Sequence, residues 1–88
     1  MSQQIYVVMG WSGEYSDRRE WPVRAYTDES KAKAQVMLLD AMARDLQATK
    51  GQYPSFTEEE RKALPDPDIQ FDYTGTRYFY FTITLVKP

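Results

Sequence analysis

The segment Arg77–Val86, RYFYFTITLV, constrains this chain more than any other stretch. Phe79, Phe81, Ile83 and Leu85 share one parity; Tyr78, Tyr80, Thr82 and Thr84 share the other. Strict alternation of aromatic and β-branched residues, with no Gly or Pro, predicts a half-buried β-strand. Successive side chains leave a strand on opposite faces, so one face is oily and the other carries hydroxyls and rings. Such a strand is stable only beside other strands and under a cover. The rest of the sequence has to supply both.

Ile5, Val7 and Met9 alternate with Tyr6 and Val8, which predicts a first strand over Gln4–Gly10. Alternation resumes over Trp21–Tyr26, where Pro22 cannot donate to a ladder and so belongs at a strand start or on an edge. The polar stretch 11–20 makes the two strands a hairpin with a longer loop than usual. From Glu29 to Thr49 there is no Gly or Pro, and Ala32, Val36, Leu39, Ala43 and Leu46 recur at helical spacing. Thr27 or Asp28 serves as the N-cap and Gly51 as the stop. Thr57 followed by Glu60 is a capping-box pattern for a short helix that ends at Pro65. Ile69–Tyr73 alternates again and reads as a fourth strand, joined to the last by Thr74-Gly75-Thr76.

The expected fold is therefore one α+β domain spanning 1–88. It has an antiparallel sheet of three to four strands in the order ββααββ, with the long helix packed on one face. The helix is expected over the Phe/Ile/Leu face, making Met9, Val23, Leu39, Leu46, Phe79, Phe81 and Ile83 core. Phe81→Ala would then cost roughly 3–5 kcal/mol.

Composition narrows the function by exclusion. The 88 residues include neither His nor Cys, which removes the commonest general base, thiol chemistry and nearly all zinc sites. Gly10-Trp11-Ser12-Gly13-Glu14 is no nucleophile elbow, because Glu14 stands where the motif needs glycine. No phosphate-binding glycine loop is present, and no cofactor is expected. Asp66, Asp68 and Asp72 could gather around a divalent cation, as in a small metal-dependent enzyme. Their spacing fits no calcium loop and Pro67 stiffens it, so a solvated linker is the better reading. The net charge of −2 gives no general attraction to nucleic acid or anionic lipid. The apolar run at the start is too short for a leader or a membrane span, and the inventory predicts a cytoplasmic, non-enzymatic domain.

Two surfaces remain as candidate sites. The loop 13–20 carries Glu14, Tyr15, Asp17 and Arg18, which suit charge-assisted contacts with a partner. The same mixed charge also suits a solvated, self-neutralising tip. The sheet face away from the expected helix would show Tyr6, Arg24, Tyr26, Tyr78 and Tyr80, an aromatic cluster of the kind found at protein interfaces. A protein partner or a homodimer is expected there. A single-stranded nucleic acid stacked on the rings is the alternative, disfavoured by the charge balance. If segment 50–68 folds over this face instead, the tyrosines are core.

IYVV (5–8), GEYSD (13–17), VRAY (23–26) and TDESKAKA (27–34) together resemble a group of small phage and prophage proteins with a strand, a Gly-Glu-Tyr-Ser-Asp loop, a strand, and an acidic cap leading an Ala/Lys-rich helix. The resemblance covers about a third of the chain. It implies a phage origin, an α+β fold and a role in binding or blocking a host protein in the host cytoplasm, and it implies no catalytic residue.

Overall fold

The computed structural model describes residues 2–13, 16, 18–51, 54–71 and 75–86. The alternating segments form strands β1 (Ser2–Ser12), β2 (Arg19–Tyr26) and β3 (Thr76–Val86), and between β2 and β3 lie helices α1 (Glu29–Lys50) and α2 (Glu58–Lys62). The chain is an α+β fold with a three-stranded antiparallel sheet in the order β2-β1-β3. The central strand is the first in sequence, and both later strands pair with it.

Local chemistry accounts for the element ends. Asp28 is the N-cap of α1, its carboxylate accepting from the Ser30 N–H at 2.9 Å, and Gly51 closes the helix at φ 95°. That dihedral is open to glycine without strain. Thr57 and Glu60 form the reciprocal capping box that starts α2. β1 and β3 pair without interruption from Ser2 opposite Val86 to Ser12 opposite Thr76. The β1–β2 ladder shifts between Val8 and Met9, where Pro22 faces Met9. A bulge on an edge strand is where a residue without an N–H is tolerated.

The expected strand at Ile69–Tyr73 does not form over its described part, and Asp72 and Tyr73 lie outside the described residues. The observed order is ββααβ. Local bonds take the backbone groups a ladder would need. The Ile69 N–H donates to the Asp66 carbonyl, and Arg61 donates to the carbonyls of Pro67 and Ile69 at 2.8 and 2.9 Å. The Thr76 hydroxyl donates to the Gln70 carbonyl.

The helix covers the opposite face of the sheet from the one expected. α1 lies mainly against β3, and the core holds Val8, Trp21, Ala32, Leu39, Ala43, Ile69 and Tyr78. Tyr78 is 5% exposed, while Phe81 is 42% and Ile83 47% exposed. Of the expected core, Leu39 is buried, Met9, Val23, Leu46 and Phe79 are half-buried, and Phe81 and Ile83 face outward.

Shape and polar pairing explain the inversion. Trp21 lies directly over Gly10, where a Cβ would come within 2.5 Å of the indole ring, so β1 offers the ring a seat on this face. Ala32 and Ala43 allow α1 to approach the sheet closely, and Val8 fills the space beneath. The hydroxyl and indole donors of this face find acceptors: Tyr78 and Trp21 both reach Asp66, and Tyr80 reaches Glu29. Burial of these groups without partners would be costly, and here they have them.

Candidate functional site

The tyrosines converge as expected, but beneath the helix. Tyr6 stands opposite Tyr26 in the ladder and meets Tyr80 edge to face, with ring centroids 6.2 Å apart. The Tyr80 hydroxyl donates to Glu29 in the first turn of α1, at 3.1 Å. Tyr6, Tyr26 and Tyr80 are half-buried against the core, Tyr78 is within it, and Arg24 is exposed. The tyrosine face is therefore not the spare face of the sheet, and as an open docking platform it is withdrawn.

Asp66 organises the covered side. Its Oδ2 accepts from Trp21 Nε1 and from the Tyr78 hydroxyl, each at 2.8 Å, and its Oδ1 accepts from the Asp68 N–H at 3.2 Å. The two rings lie edge to face at 88°. Burial, and then the bond to Asp66, hold the Tyr78 phenol protonated well above its ordinary range. Both carboxylate oxygens accept hydrogen bonds, so this buried acid clamps segment 66–71 to Trp21 and Tyr78. Asp68 is exposed and Asp72 lies outside the described residues. No cluster of three potential metal ligands exists among the described residues. An open hollow of about 680 Å³ beside this clamp is lined by Trp21, Pro54, Arg61 and Phe71, but Arg61 already holds two carbonyls.

The uncovered face is the one that stands out chemically. Ladder partners share a face, so Ile5 with Ile83, Val7 with Phe81, and Met9 with Phe79 form a continuous apolar strip along β1 and β3. Leu85, 51% exposed, extends it at one end, and on the β2 side Ala25 and Pro22 sit opposite Val7 and Met9. The rings of Phe79 and Phe81 touch, with centroids 6.5 Å apart. No polar side chain interrupts the strip between Ile5–Ile83 and Met9–Phe79. An exposed apolar patch of this continuity marks an interaction surface. The sequence does contain it, as the odd-numbered residues of two strands, but alternation does not say which parity points outward.

Of the hairpin-loop residues, Glu14, Tyr15 and Asp17 lie outside the described residues. Arg18 bonds Glu20 at 2.8 Å and lies over the Trp11 ring at 4.3 Å. Its charge is satisfied within the hairpin. Among the described residues, no helix is long and apolar enough to cross a membrane. Comparison with known proteins finds no family model, no curated protein and no solved structure that matches this chain.

Proposed function

We propose that this chain is a non-enzymatic protein-binding module whose binding surface is the apolar sheet face opposite α1, and that the surface closes face to face on a second copy. The observation that carries the reading is the distribution of apolar residues: Tyr78 is 5% exposed, whereas Phe81, Ile83 and Leu85 are 42–51% exposed on one uncovered strip. A sheet that turns hydroxylated rings toward its helix and leaves Phe81, Ile83 and Leu85 outside has the makings of a second core. From Phe79 to Leu85 a strand rises about 20 Å and three strands span about 14 Å. With side-chain relief, two such faces bury on the order of 800–1,000 Å², the size of a weak, concentration-dependent association. Two sheets packed about 10 Å apart with interdigitating side chains form an ordinary sandwich. The host-blocking role implied by the phage resemblance would place a host protein on the same strip.

Sedimentation of the wild type and of Phe81→Lys tests this. The wild type should gain mass with concentration, and its melting temperature should rise with it, as expected when assembly stabilises the fold. Phe81→Lys should fold, because the position is exposed, and should lose the face-to-face association. A wild type that stays monomeric over the whole range, or an association indifferent to Phe81→Lys, would sink the proposal.

A further inference from the structure

The two edges of the sheet are built differently. β2, at one edge, carries Arg19, Glu20, Pro22 and Arg24 and is bent by the register shift opposite Val8 and Met9. Charge, proline and bulge are the usual devices that keep an edge from pairing. β3, at the other edge, reads FYFTITLV from Phe79 to Val86, with no charge, proline or glycine. A long edge of this composition is a template for another strand.

One hydrogen bond shows which backbone groups are free. In an antiparallel ladder alternate residues turn their N–H and C=O inward and outward. The Tyr78 N–H donates to Asp40 Oδ1 of α1 at 2.9 Å, so Tyr78 faces away from β1. Tyr80, Thr82, Thr84 and Val86 follow at two-residue spacing and face outward with it. Asp40 therefore covers only the first part of the edge. Among the described residues nothing pairs with the outward groups of Thr82 and Thr84, and Val86 is 72% exposed.

We infer that the outer edge of β3 from Tyr80 to Val86 is a strand-pairing site and that its occupant is β3 of a second copy, antiparallel, which joins two three-stranded sheets into one of six. The segment is self-complementary in the register that sets Ile83 opposite Ile83. Thr82 then faces Thr84 and exchanges backbone bonds with it, Phe81 meets Leu85 on the apolar face, and Tyr80 meets the exposed Val86. Cross-strand Thr–Thr and aromatic–aliphatic pairs of this kind stabilise a sheet. The pairing makes the apolar strip continuous across both copies. Its two-fold axis runs perpendicular to the sheet, whereas that of face-to-face packing lies between the sheets, so the two contacts use different axes and different surfaces. The edge contact rests on its own observations and stands without the face contact.

Amide hydrogen exchange of the wild type, read beside its mass, tests the inference directly. At concentrations where the protein associates, the amides of Thr82 and Thr84 should exchange as slowly as those of Phe81 and Ile83, and should lose that protection on dilution. Thr84→Pro removes an outward N–H without removing a bond to β1, and should halve the mass. Thr82→Lys combined with Thr84→Lys sets like charges opposite each other and should do the same if the proline variant fails to fold. Fast exchange at Thr82 and Thr84 in the associated protein overturns the inference, as does a mass unchanged by the variants or a wild type that is always monomeric. An assembly with open Thr82 and Thr84 amides that Phe81→Lys dissociates would leave the face reading standing and remove this one.

Discussion

Asp66 ties β2, β3 and the connector before β3 together through one buried carboxylate. It is 1% exposed and accepts hydrogen bonds from Trp21, from Tyr78 and from the backbone of Asp68. Asp66→Ala strands two buried donors, each worth about 1–3 kcal/mol, so a loss of roughly 3 kcal/mol is expected in urea unfolding. Asp68→Ala, at an exposed position, should change stability by less than about 0.5 kcal/mol. Equal effects would show that Asp66 is not the clamp. Tyr78 adds a pH signature. Its phenol is held protonated above the ordinary value of 10.0, first by burial and then by Asp66. Above about pH 10 the unfolded chain releases this proton while the folded chain keeps it, so the stability it confers is complete below that pH and drains away above it. The urea midpoint of the wild type should therefore fall more steeply between about pH 9 and 11 than that of Tyr78→Phe. Parallel curves would acquit Tyr78.

At the scale of elements, α1 depends on its cap. The Asp28 carboxyl is held below its ordinary value of 3.8, chiefly by the Ser30 hydroxyl and then by the Ser30 N–H. The ionised cap thus supports the fold above that pH, and its contribution is lost as the pH falls through the lowered value. Asp28→Ala should lower the melting temperature at neutral pH, and the gap from wild type should narrow in acid; a gap that does not depend on pH would place the effect elsewhere. The apolar stripe of α1 and the capping box of α2 behave as their sequences imply, with Ala32, Leu39 and Ala43 buried, because caps and periodicity act within a few residues. Segment 66–71 does not. The alternation of Ile69–Tyr73 suggests a strand, but Arg61 and Thr76 take the carbonyls of Pro67, Ile69 and Gln70, and a turn bond to Asp66 takes the Ile69 N–H.

For the whole molecule, inversion of the sheet changes what core mutation should do. With Phe81 42% exposed, Phe81→Ala should cost the dilute protein only about 1–2 kcal/mol, well below the penalty of a core phenylalanine. At high concentration the same substitution should cost more, because the wild type then gains stability from association. A large loss already present in the dilute protein would restore Phe81 to the core. The open strip and the unblunted β3 edge lie on the same strand, so β3 is both the main contact of α1 and the carrier of the exposed Phe81, Ile83 and Leu85.

Much of this fold is legible in the residues alone. The three strands, the reach of the long helix from Glu29 to Gly51, the capping box at Thr57 and the edge position of Pro22 all follow from dihedral preference, capping and side-chain period. The candidate site is legible only as a pair of alternatives. Both parities of β1 and β3 are apolar enough to be buried, and alternation separates two faces without giving either a direction. The direction comes from contacts between distant residues: the seat that Gly10 offers Trp21, the close approach allowed by Ala32 and Ala43, and the acceptors that Asp66 and Glu29 hold out to Tyr78 and Tyr80. Local chemistry thus determined the elements, and only packing decided that the tyrosines would face the helix and the phenylalanines would be left for a partner.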